Sequence, residues 1–69
     1  MAEGVVKSFD RRAGSGLITP DDGGADVFVH VSAVERAGLP NIAAGQRIGF
    51  DTQTDIRREK TFAVGLRLL

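Results

Sequence analysis

Apolar side chains recur at every second position through much of this chain, in short runs set between glycines and turn-forming residues. In residues 26–31, Val27, Val29 and Val31 alternate with Phe28 and His30. In residues 45–54, Ile48 and Phe50 share a face, and in 61–68 Phe62, Val64, Leu66 and Leu68 alternate inward. A period of two is that of a strand with one face buried. Residues 4–9 and 14–19 add two further runs, the second with Gly16 and Ile18 on one side and Ser15 and Leu17 on the other. The pattern therefore predicts five strands. Between the second and third lies Pro20-Asp21-Asp22-Gly23-Gly24, a turn signal in which proline presets φ and glycine accepts a positive φ. Residues 32–38 break the alternation. Ser32 stands where a helix is capped, Glu35 at the reciprocal capping position and Gly38 where a short helical turn would stop. Residues 39–41 then form a loop, as do residues 55–60 between the last two strands.

Length and composition narrow this pattern. At 69 residues the chain holds one domain, residues 1–69, and a domain this small buries only about 60% of its unfolded surface. Short strands, one helical turn after the third, and no parallel crossover predict a small antiparallel all-β barrel. An SH3-like barrel has the same strand count, and periodicity does not separate the architectures. Cysteine is absent, which excludes disulfides and thiolate metal sites and fits a reducing cytoplasm. No apolar run approaches the ~20 residues that span a bilayer, and the first residues do not have the basic-then-apolar order of a secretion signal. Nine basic residues balance nine acidic ones, so whole-chain charge makes no case for a nucleic-acid partner. The charges are nevertheless grouped: Asp21, Asp22 and Asp26 together, and Arg57, Arg58 and Lys60 together with Asp55 and Glu59 among them.

Few residues suggest chemistry. His30 is the only histidine, and without cysteine or a nucleophile beside it neither a metal site nor acid–base catalysis is expected. Gly14-Ser15-Gly16 begins like a dinucleotide fingerprint, but the third glycine and the following helix are missing. The three aspartates read as turn residues and lack calcium-loop spacing. No cofactor, metal or small-molecule substrate is expected, and no enzymatic activity.

Four segments together resemble the bacterial cold-shock proteins: Gly4-x-Val6-Lys7-x-Phe9; Gly14-x-Gly16-x-Ile18-Thr19-Pro20-Asp21-Asp22-Gly23; Asp26-Val27-Phe28-Val29-His30 followed by Ser32-Ala33; and Gly45-Gln46. The resemblance implies a five-stranded antiparallel barrel of the OB type, with one short helical turn after the third strand. It also implies an exposed aromatic platform on the second and third strands that stacks unpaired bases. Each stacked base contributes about 1–3 kcal/mol, largely independent of sequence, and nearby cations follow the phosphates. Carried onto this chain, the nucleic-acid contacts are Lys7, Ser8, Phe9 and Arg12 on the first strand and its turn, and Ser15 and Leu17 on the second. Phe28, His30 and Val31 follow on the third, with Leu39 and Arg58 in loops.

The chain departs from the family at several of these positions. Ser8 stands where a tryptophan is usual, and Ser15 and Leu17 where phenylalanines are usual. Val31 and Leu39 also replace aromatics, and Ala13 replaces a lysine. With no Trp, no Tyr and four Phe, the platform is not expected to be rebuilt elsewhere; Phe62 is assigned to the core by alternation. The missing rings predict binding weaker by roughly two to three orders of magnitude than in an aromatic-rich relative. The resemblance thus implies a cytoplasmic binder of single-stranded RNA or DNA, RNA chaperone-like, with no membrane role. A monomer is expected, with a dimer as the alternative. A second reading keeps the barrel but turns the ring-depleted face to protein contact or dimerisation.

Overall fold

The computed structural model describes residues 2–69. Its elements are β1 (Ala2–Asp10), β2 (Ser15–Pro20), β3 (Val27–His30), α1 (Val31–Arg36), β4 (Arg47–Asp55) and β5 (Lys60–Leu68). The sheet order is β1-β2-β3-β5-β4, and β4 pairs back to β1, so the five strands close on themselves. Four of the five pairings are antiparallel. The fifth, β3 with β5, is parallel and consists of the single register pair Phe28–Phe62. The sheet is therefore mixed, which corrects the expectation of a purely antiparallel one. The last strand has to enter beside β3 to close the ring, and the direction of β5, set by its antiparallel pairing with β4, makes that junction parallel.

The interior is filled by Val6, Ile18, Val27, Val29, Val34, Ile42, Ile48, Phe50, Ala63 and Leu66, all buried. Paired inward residues stack across strands: Val6 with Ile18, Ile18 with Val27, and Gly16 with Val29. Next to the β1 irregularity the first two strands come close together. A Cβ added at Gly16 would strike the Ser8 carbonyl oxygen and come within 2.8 Å of the Phe9 Cα. Only glycine fits there.

Two register shifts alter the simple alternation. In β1, Lys7 is an extra residue between the pairs Val6–Ile18 and Ser8–Leu17, so both Lys7 and Ser8 face outward. In β5, two residues, Gly65 and Leu66, stand opposite Phe50 between the pairs Gly49–Arg67 and Asp51–Val64. Gly65 has φ +58°, a left-handed conformation that glycine tolerates without a Cβ clash. This bulge changes the face that β5 presents. Ala63 and Leu66 point inward, whereas Phe62 and Val64 pair with the exposed Gln53 and Asp51 and are only half-buried. The alternation expected for Phe62, Val64, Leu66 and Leu68 is thus corrected: Leu66 alone of the four is in the core. Leu68 registers with Ile48 but lies at the strand end, 50% exposed.

Val31 was expected to continue the face of Val27 and Val29, yet β3 ends one residue earlier and Val31 opens α1. The cap is His30, not Ser32. His30 is extended (φ −98°, ψ 150°), and its Nδ1 accepts the Ser32 backbone N–H at 3.1 Å. Glu35 is consequently beyond the reciprocal capping position and is exposed. The stop is as expected. Gly38 has φ +74°, its N–H donates to the Glu35 carbonyl, and the Leu39 N–H donates to the Val34 carbonyl. This paired closure brings the residue after the glycine back over the helix, and Leu39 packs against the core accordingly. Val34 and the loop residue Ile42 complete the core at this end.

Arg47 ties β4 to the β2–β3 turn, donating to the Asp21 carboxylate at 2.7 Å and lying 3.5 Å from Glu3. The hydrogen bond from Arg47 holds the Asp21 carboxyl below its ordinary value of 3.8. The stability it adds is in place above that pH and is lost as the pH falls through the lowered value. Asp21→Asn should therefore lower the thermal midpoint slightly at neutral pH and leave it unchanged well below pH 3.8; an equal loss at both pH values would rule the ion pair out as its cause. Gly16→Ala should cost about 1–3 kcal/mol through overpacking, read as a lower urea midpoint.

Candidate nucleic-acid interface

The β1 bulge and the sheet register place one row of side chains across the outer surface. Ser8 pairs with Leu17, Leu17 with Phe28, Phe28 with Phe62, and Phe62 with Gln53. A second row, Asp10, Ser15 and His30, runs beside it. Leu17 and Phe28 are half-buried, Ser8 and His30 exposed. The Phe28 and Phe62 rings meet edge to face, with centroids 5.4 Å apart and planes at 87°. Such a pair contributes about 0.5–1.5 kcal/mol beyond the area it buries. The Lys60 ammonium lies 5.5 Å from the centroid of the Phe28 ring, within cation–π range.

The other expected residues divide between this surface and structural roles. Lys7 is exposed beside the rows, but its Nζ is paired with Asp26 at 3.0 Å. Asp26 also accepts from Thr19 Oγ1 at 3.1 Å. The hydrogen bond from Lys7, then that from Thr19, lowers the Asp26 carboxyl below its usual value. Phe9 pairs with Gly16 in the inward set and packs against the core, half-buried, on the opposite side of the pleat from Phe28. Val31 is half-buried at the start of α1, and Leu39 is held in the helix stop. Neither joins the rows. Arg12 is exposed in the β1–β2 turn. Its neighbour Arg11 donates to the Pro40 carbonyl at 2.6 Å, so that arginine braces a loop. Arg58 is exposed and lies 3.8 Å from Asp55, which also accepts the backbone N–H groups of Arg57 and Arg58. His30 Nδ1 is occupied by Ser32, whose Oγ lies 2.9 Å away and whose N–H it accepts. The ring's other nitrogen is the one left to meet a ligand.

The sequence leaves Phe62 mainly to the core, with a loop-edge base contact as the lesser alternative, and groups Lys60 with Arg57 and Arg58 as a far-rim cluster that could flank a nucleic-acid strand; it does not bring Phe62 and Lys60 to Phe28. Alternation had sent Phe62 inward and left no ring to rebuild the platform, whereas the structure sets it beside Phe28 on the outer face. The available signal was Gly65: a glycine inside a strand marks a bulge, and one inserted residue moves every side chain before it to the other face.

A five-stranded β-sheet closed on itself, with a short helix after the third strand and an aromatic pair on its outer face, defines a small all-β domain. The comparisons place it more narrowly. The family profile described as the 'Cold-shock' DNA-binding domain matches residues 2–68. Over 67 residues, 97% of each chain, the protein is 51% identical to a probable cold shock protein y4cH of Sinorhizobium fredii and 48% identical to cold shock protein CspA of Rhizobium meliloti. It is 49% identical over 49 residues, 71% of each chain, to the cold shock-like protein CspE of Escherichia coli. The chain belongs to the cold-shock domain family, a family of nucleic-acid-binding domains. Among the described residues no helix is long and apolar enough to cross a membrane.

A phosphate could reach Lys7 only by displacing the Asp26 carboxylate. Asp26→Asn should tighten binding of a single-stranded oligonucleotide and steepen the dependence of log K on log salt by about 0.7, the increment for one phosphate contact. Unchanged affinity and slope in an anisotropy titration would mean that Lys7 does not serve the ligand.

Proposed function

We propose that this protein is a single OB-type cold-shock domain over residues 1–69 that binds single-stranded RNA or DNA on the outer face of β1, β2 and β3, RNA chaperone-like, and catalyses nothing. The observation that carries this reading is the uninterrupted outward row Ser8–Leu17–Phe28 with Ser15 and His30 beside it, on a chain of this family. Phe28 supplies the principal stacking surface. His30 offers its outer ring nitrogen, and Ser8 and Ser15 offer hydroxyls to base edges or sugars. Phe9, half-buried on the inner side of β1, contributes only where it reaches the margin of this face. Arg12 and Arg58, both exposed, meet phosphates at opposite ends. Affinity is lower than in a relative with aromatics at positions 8, 15 and 17, since Ser forfeits most of the stacking term there and Leu a smaller part of it. The protein works as a cytoplasmic monomer.

The second reading, a barrel turned to protein contact or dimerisation, drew on replacement of rings by small apolar residues. Val31 and Leu39 are engaged in α1 and its stop, so Leu17 alone of those apolar replacements lies on the face. That reading has correspondingly less support.

Anisotropy of a labelled pyrimidine-rich strand of about ten nucleotides, within the usual site size, tests the proposal. Wild type should bind saturably. Phe28→Ala with His30→Asn, which keeps a capping side chain at the start of α1, should weaken binding by at least roughly tenfold. A double variant that binds as well as wild type would move the site off this face.

A further inference from the structure

Two grooves meet at the Phe28–Phe62 pair. One, of about 450 Å³, is bounded by Leu17, Asp26, Phe28, Glu59 and Lys60. The other, of about 690 Å³, runs between α1 and β5, with Ala33 and Ala37 on one wall, Phe62 and Val64 on the other, and Arg36, Arg57 and Arg58 around it. Their charges differ. The first gathers two carboxylates and one ammonium, with Asp26 already engaged by Lys7 and Thr19, which leaves the groove without net positive charge. The second gathers three guanidinium groups and a single carboxylate, Asp55, already engaged by Arg58 and by two backbone N–H groups. A phosphodiester chain is favoured in the second groove and disfavoured in the first.

We propose that the single strand is gripped at the corner formed by Phe28 and Phe62 and passes from there into the groove between α1 and β5, where Arg36 and Arg57 meet its phosphates. This rests on the nucleic-acid reading above and deepens it: stacking absent from β1 and β2 is supplied from β5. The rings stand at 87°, so a base laid on the face of Phe28 has Phe62 beside it as a wall. The next base cannot continue the same stack, and the strand turns at this point. The turn directs it toward α1, because Phe62 also forms a wall of the arginine-lined groove. Lys60 holds the open face of Phe28 in the free protein. An arriving base displaces its ammonium, which then has a phosphate to pair with. A groove of this volume lies within the range of small-ligand pockets, about 300–1,000 Å³, and admits a nucleotide unit.

The same labelled strand tests the path. Phe62→Leu keeps apolar bulk but removes the ring, and it should weaken binding roughly tenfold, while Phe62→Trp should preserve or tighten it. Arg36→Gln with Arg57→Gln should reduce the salt slope by about 1.4, two phosphate contacts' worth. Thermal melts of each variant separate lost binding from lost fold, and the arginine pair is exposed, so its result stands even if Phe62→Leu destabilises the barrel. If the Phe62 and arginine variants bind like wild type while the Phe28 variant does not, the strand stays on the face of β1, β2 and β3 and does not enter the groove. The inference is then overturned with the nucleic-acid reading intact. No wild-type binding of RNA or DNA at low salt would overturn both, and would turn attention to a protein partner.

Discussion

The narrowness of the interior governs this structure. Among the described residues ten buried apolar side chains fill the space inside a closed five-stranded sheet, and β1 and β2 approach so closely that position 16 cannot carry a Cβ. Strands that bend this sharply do not keep perfect alternation. They bend at inserted residues, Lys7 in β1 and the Gly65 region in β5, and each insertion exchanges the inward and outward sets along its strand. The side chains that reach the outer face of β1, β2, β3 and β5 are therefore selected by where the barrel has to curve. Lys7 and Ser8 lie together on the outside for this reason, and so does Phe62.

Much of this was readable from the chain. The strand count, the turn at residues 20–24, the helical turn with its stop at Gly38, and the core roles of Ile48 and Phe50 follow from local rules: period, turn chemistry and the glycine requirement at a left-handed position. The outward placement of Phe28 and His30 was legible too, because β3 has no bulge. The errors arose where local rules meet closure. Val31 follows the strand period but is captured by α1, since His30 rather than Ser32 has the extended backbone that a cap needs. Phe62 follows the same period, but the Gly65 bulge reverses it. The parallel junction between β3 and β5 could not be read from either strand, because it is a property of the closed ring.

Electrostatics show the same division between local and assembled information. The chain is neutral, yet its charges are not spread evenly. Asp21 is committed to Arg47 and Asp26 to Lys7, so much of the acidic turn between β2 and β3 is already paired. The arginines of the β4–β5 loop and of α1, far apart in sequence, gather around a single groove. Zero net charge thus coexists with a surface that has a cationic end.

The β3–β5 junction has a further consequence. It is the seam of the ring, joined through one register pair, whereas β4 and β5 are paired along nearly their whole length. Phe28 and Phe62 sit on either side of that seam. Any molecule that lies across both rings acts as a clasp over the place where the ring has least of its own to hold it shut. Occupancy and closure are then thermodynamically linked: the seam opens less readily when something is bound, and whatever loosens the seam also loosens the ligand.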